Sequence, residues 1–123
     1  MSTAQIRKSL LALHQTLVER ERRDYETLHP RTTSADFLQA LIADPWFAWL
    51  TPLTTLIVRL DELEDAKSKA SAAELAAWIA QARKLLAPGE DSEFNRRYAT
   101  RIQQSPEVAV AHGAVVKALK SAE

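Results

Sequence analysis

Few residues in this chain could do chemistry, and their spacing says which chemistry to consider. The sequence has three histidines and no cysteine, so thiol nucleophiles, disulfides and cysteine-ligated metal sites are excluded. His14 shares a stripe with Leu10, Leu17, Glu21 and Tyr25, at steps of three and four residues. A histidine, a carboxylate and a phenol at such steps lie on one side of a helix, where they could hold a metal ion or pass a proton. Glu26 and His29 add a Glu-x-x-His spacing. A dinuclear carboxylate site needs that motif twice, with two further glutamates from other helices. Only one copy occurs, and Pro30 follows it directly. His14, Glu21, Glu26 and His29 are therefore the candidate metal ligands. The plainer reading is a polar layer inside a helix bundle, or an exposed edge, and no cofactor is implied.

Two other constellations stand out. Asp61, Glu62, Glu64 and Asp65 crowd the end of an apolar run, where carboxylates oppose the helix macrodipole. Arg96, Arg97 and Arg101 are the candidate counter-charges, with Lys67 and Lys69 close in sequence. Paired with Asp61 and Glu64, these arginines would close one end of the molecule as an ion-pair network. Alone they would form an anion site, and solvated surface pairs are the plainer alternative. Trp46, Trp49, Tyr98 and His112 are the candidate ligand-binding residues, around a pocket formed where Pro52 interrupts a buried helix. The competing reading of the tryptophans is core, since a large apolar side chain stabilises the fold by about 1.5–3 kcal/mol when buried.

Several function classes find no support. There is no P-loop, dinucleotide glycine fingerprint, Gly-x-Ser-x-Gly or His-Glu-x-x-His. Basic and acidic residues number 16 each, for a formal net charge of zero. Nucleic acid rewards a clustered basic surface. Arg22, Arg23 and Arg31 could touch phosphate, but no recognition-helix or stacked-aromatic pattern accompanies them.

The elements that must position these residues read as helices throughout. Only two glycines occur, and no alternating strand pattern is sustained. Asp44-Pro45, Thr51-Pro52 and Ser105-Pro106 each pair an N-cap residue with a proline suited to a first helical turn. His29-Pro30 and Ala87-Pro88 follow helical runs and stop them. The first helix runs over about 3–27, with a packing seam at Ile6, Leu10, Leu13 and Leu17 and a charged far half that could project and pair with a second copy. The second is capped by Thr33 or Ser34 and carries Phe37, Leu38, Leu41 and Ile42, with Asp36 near its first-turn amides.

The third spans about 45–64 and is the centre of the molecule. It is apolar over most of its circumference, with a thin polar stripe at Thr51, Thr55, Arg59 and Glu62. Pro52 kinks it, or Thr51 caps a fresh helix there after a short turn over 45–50. Its prolines, threonines and Arg59 rule out a membrane span. Residues 66–70 form a linker. Ser71 and Glu74 make a capping box that opens the fourth helix, which runs to Leu86. Asp91 or Ser92 caps the fifth, with Phe94, Tyr98 and Ile102 at steps of four. The sixth starts at Pro106 and turns Val108, Ala111, Val115 and Leu119 inward. Gly113 inside it, beside Ala109, suggests close approach of a neighbouring helix, or else room for a ligand.

The expected fold is all-α: a compact bundle of five or six helices around the central buried helix (45–64), kinked or broken at Pro52, in a single domain over 1–123. The N-terminal run does not read as a secretory signal, and a cytoplasmic location is expected. The functional expectation is a small non-catalytic interaction or regulatory module that self-associates through its first helix. The alternative is a small-molecule-binding bundle or small enzyme with its pocket at the Pro52 break.

Overall fold

The computed structural model describes residues 3–65, 71–87, 89 and 92–121. Among them are six α-helices and one 3-10 helix: α1 (Thr3–Leu28), α2 (Ser34–Ala43), the 3-10 helix (Pro45–Leu50), α3 (Thr51–Glu64), α4 (Ala72–Leu86), α5 (Glu93–Gln104) and α6 (Pro106–Ser121). The proposed linker at 66–70, with Lys67 and Lys69, lies outside the described residues, as do Pro88 and the alternative cap Asp91.

Local chemistry sets the helix ends. Thr33 Oγ1 accepts from the Asp36 amide while Asp36 accepts from the Thr33 amide, a reciprocal capping box that uses aspartate. Asp44 stops α2, and its carboxylate takes the Trp46 amide that opens the 3-10 helix. Ser71, Ser92 and Ser105 each accept an amide of the following first turn. Thr51 does not cap: it is the first residue of α3, Leu50 holds the N-cap position, and no side chain caps that helix. Pro52 falls in the first turn of α3, where its missing N–H costs nothing. The proline therefore marks a junction between a 3-10 and an α segment. Gly89, at φ 87°, turns the chain beyond α4 in a conformation that favours glycine.

The core runs along α1. Ile6, Leu10, Leu13 and Leu17 are each 0% exposed. This seam is filled from within the chain: α6 packs along α1, and α3 packs beside it. The charged far half of α1 does not project. Glu21 is buried there, Arg23 reaches Glu107 at 3.2 Å, and Tyr25 packs on Phe47. α3 lies between α1, α4 and the 3-10 helix, burying Leu53, Leu56, Ile57 and Leu60. Its solvent side is wider than the four-residue stripe, taking in Pro52, Thr54, Val58 and Asp61 as well. α5 packs on α6, α4 and the 3-10 helix, while α2 is held chiefly through the 3-10 helix. No single described helix is long and apolar enough to cross a membrane. α2 and Pro45–Glu64 reach that length only together, across a 62° bend, and α3 turns its apolar face into the bundle.

Gly113 neither admits a close neighbour nor lines a packed contact. It is exposed, and a Cβ built on it meets nothing within 4 Å. Gly113→Ala should therefore stabilise the protein by about 0.5–1 kcal/mol, through helix propensity alone. Urea unfolding of the two proteins measures this, and a destabilised alanine variant would show that the site is crowded.

Candidate functional site

The four metal candidates on and just beyond α1 are engaged separately. His14 is half-buried, and its Nε2 lies 3.0 Å from Thr54 Oγ1 on α3. Thr54 donates its own proton to the Leu50 carbonyl at 3.3 Å, so His14 Nε2–H is the donor to Thr54. Burial lowers the His14 pKa and favours the neutral ring. Glu21 is 1% exposed and accepts from Arg101 Nε at 2.5 Å; Arg101 Nη1 also donates to Gln104. Glu26 accepts from Arg22 at 2.7 Å. His29 is exposed and stacks on Tyr25 with ring centroids 4.3 Å apart. Fifteen helical residues span about 22 Å, so His14 and His29 cannot share an ion. Among the described residues no group of three histidine, aspartate or glutamate side chains is placed to hold a metal.

Among the described residues, Asp61 on α3 and Arg97 and Arg101 on α5 are paired elsewhere, not with one another. Asp61 pairs with Arg7 of α1 at 2.6 Å, and Glu64 adds to the field that raises the Arg7 pKa after the Asp61 contact itself. The end of α3 lies beside the first turns of α1, whereas α5 packs on the other helices. Arg97 pairs with Glu93 on its own helix at 3.3 Å, and Arg101 is taken by Glu21. Arg96, Arg97, Thr100 and Arg101 do line a shallow hollow of about 210 Å³.

Of the four aromatic and histidine candidates, three are brought together. Trp49, Phe94, Tyr98 and His112 form a row with successive ring centroids 5.6, 5.3 and 5.4 Å apart. Trp46 sits elsewhere, edge-on to Tyr25 at 5.8 Å, in a second cluster with Phe47 and Phe37. Both indole N–H groups are buried, and neither has a hydrogen-bond partner among the described residues.

The polar end of the row has defined geometry. Tyr98 Oη lies 2.6 Å from His112 Nδ1. Burial raises the Tyr98 pKa, so the phenol keeps its proton. Donating that proton to Nδ1 satisfies the hydroxyl and leaves the neutral His112 ring with its hydrogen on Nε2. Burial also lowers the His112 pKa and favours that neutral form. Beyond the ring lies a cavity of about 250 Å³, lined by Leu86, Ala87, His112, Val116 and Leu119 together with Arg83 and Lys120. This opening belongs to the α4–α6 contact, not to the Pro52 break.

Sequence reasoning placed Tyr98 and His112 in one candidate site but missed Leu86, Val116, Leu119 and Lys120. Nothing in the spacing pairs the last turns of α4 with α6. It also missed Asn95, buried on α5, whose amide donates to the Leu85 and Ala87 carbonyls and so closes the end of α4.

The class that emerges is an all-α helical bundle with an interior ion pair and a small cavity on a half-buried histidine. No protein-family model, curated protein or solved structure matches this chain.

Proposed function

We propose that this chain is a non-catalytic helical interaction module that associates with a second copy of itself. The observation that carries the reading is the outer face of α2. Phe37 and Ala40 turn inward, Phe37 meeting Phe47 at 5.6 Å and lying under the Arg22 guanidinium at 4.5 Å. The opposite side presents Ala35, Leu38, Gln39, Ile42 and Ala43 to solvent, with Leu38 58% and Ile42 84% exposed. The one charged residue of the helix, Asp36, is occupied by the cap. An apolar helix face ordinarily has a neighbour, and none of the described residues covers this one. Leu28, at the end of the first helix, is also exposed, at 63%.

An uncharged face is compatible with its own copy. In a two-fold contact the same patch meets itself, so a charged face would repel. With zero formal net charge, long-range repulsion between copies is also small. The Leu seam of α1 is filled by α6 and α3, which directs self-association to α2 and the Leu28 end of α1. A ten-residue helix offers less than the roughly 800 Å² per partner of a stable interface. The expected dissociation constant is therefore on the order of micromolar or weaker.

Sedimentation equilibrium over micromolar to millimolar protein tests this. The wild type should pass from one chain to two, and Leu38→Glu with Ile42→Lys should remain at one chain with an unchanged circular dichroism spectrum. A wild-type mass of one chain throughout that range would remove the proposal.

A further inference from the structure

We propose that the cavity between α4 and α6 binds a small amphipathic carboxylate, with its apolar chain against Leu86, Val116 and Leu119 and its head between His112 and Lys120. This inference does not depend on self-association and concerns a different face of the molecule.

Three observations converge on it. The cavity, at about 250 Å³, is slightly smaller than pockets that take drug-sized molecules, so a short chain fits it better than a ring system. Its aliphatic lining is Leu86, Val116 and Leu119, of which Leu86 and Leu119 belong to the core and are each 3% exposed. Among the described residues, the polar side chains lining it are His112, Arg83 and Lys120, which carry donors or positive charge. Tyr98 occupies His112 Nδ1 at 2.6 Å, which leaves Nε2–H as the donor that this residue offers on its far side. Lys120 is exposed and adds a positive charge, and Arg83 is fixed nearby by its hydrogen bond to the Leu119 carbonyl at 2.9 Å. No aspartate or glutamate is among the described lining residues.

That combination selects the ligand class. An aliphatic wall with donors and a cation at one end matches an alkyl chain carrying an acceptor-only anionic head. A cationic amphiphile would meet Lys120 with like charge. A neutral alkyl ligand would use the wall and leave the lysine without a role. No bond is made or broken: the dyad positions a donor, and Tyr98 fixes which ring nitrogen carries it.

Octanoate is the probe, with octanol as its uncharged counterpart, followed by NMR titration of the full chain. The expected result is one saturable octanoate site, with shifts at Leu86, His112, Val116 and Leu119 and a shift of the His112 Nε2 resonance. Lys120→Glu should weaken octanoate by about tenfold, the scale of one charge-assisted contact at a partly exposed position, and leave octanol unchanged. Val116→Trp, which fills the cavity, should abolish both, with circular dichroism confirming its fold. Lys120 is exposed, so the first variant does not depend on core repacking. Shifts that fail to saturate or that map away from α4 and α6 would overturn the proposal. So would octanoate affinity that is indifferent to Lys120→Glu.

Discussion

Arg101→Met should destabilise the protein by about 3–5 kcal/mol, far more than loss of any other ion pair described in the molecule. The reason is its partner. Glu21 has a side chain 2% exposed, whereas Arg101 is 20% exposed and also reaches Gln104 at 2.9 Å. Removing the arginine leaves a carboxylate inside the bundle with no cation and no access to water. Removing the glutamate instead leaves a guanidinium that still touches Gln104 and solvent, so Glu21→Gln should cost less than Arg101→Met. By contrast, the Arg97–Glu93 pair has side chains 53% and 67% exposed, and such pairs contribute about 0–1 kcal/mol. The double variant Glu21→Leu with Arg101→Met should recover most of the loss, because an apolar pair of similar volume needs no desolvation of charge. Urea unfolding of the four proteins gives the comparison. An Arg101→Met cost near that of Arg97→Ala would mean that Glu21 is hydrated in solution. Total stabilities of about 5–15 kcal/mol are usual, so this one substitution would bring the fold close to its threshold.

That pair shows why the fold was more legible than the site. Helix ends are written in short-range chemistry. Asp44-Pro45, Ser105-Pro106 and Ser71 with Glu74 each announce an amide acceptor ahead of an apolar run, and each starts a helix in the structure. The all-helical fold and its six α-helices follow from such signals and from the 3.6-residue period. Thr51-Pro52 carries the same signature, yet Thr51 makes no cap, because the preceding 3-10 turn already delivers a helical backbone at Leu50. At Thr33 the box is closed by aspartate, where the usual signature has glutamate or glutamine.

Side-chain partners across the bundle obey no such local rule. Glu21 sits in register with the α1 seam, four residues after Leu17, and so was legible as an inward polar position. That its counter-charge is Arg101, eighty residues away, depends on α5 packing against α6 and α6 against α1. The carboxylates closing α3 were legible as needing a cation, but Asp61 takes Arg7, because the end of α3 runs back beside the start of α1, and Glu62 takes Arg59 of its own helix. Trp46 and Trp49 looked like one cluster in sequence. The 3-10 helix directs Trp49 to Phe94 and places Trp46 against Tyr25. The cavity at His112 had no sequence signature, since its walls come from the ends of two helices whose pairing only the tertiary fold decides.

Trp78→Ala should cost about 3–5 kcal/mol and is the largest expected effect of a change in the apolar core. Trp78 is 2% exposed and lies where α4 packs on α3. Its Nε1–H donates to the Leu56 carbonyl at 2.9 Å, a bond that joins two helices across a chain separation of 22 residues. Two contributions are lost together, and their sizes decide the outcome. The indole's apolar area and the void it leaves make up most of the cost, while a neutral hydrogen bond contributes about 0.5–1.5 kcal/mol. Alanine's better helix propensity returns at most about 0.7 kcal/mol, so it cannot offset the cavity. Trp78→Phe separates the terms. It keeps most of the ring and drops only the bond, and the Leu56 carbonyl retains a partner inside α3, so no buried acceptor is orphaned. Its expected cost is about 1–2 kcal/mol. Far-UV circular dichroism during urea unfolding reports all three proteins without relying on tryptophan fluorescence. A phenylalanine variant nearly as unstable as the alanine one would assign the grip to the hydrogen bond. Near-equal stability of all three would mean that α4 is not packed on α3 in solution.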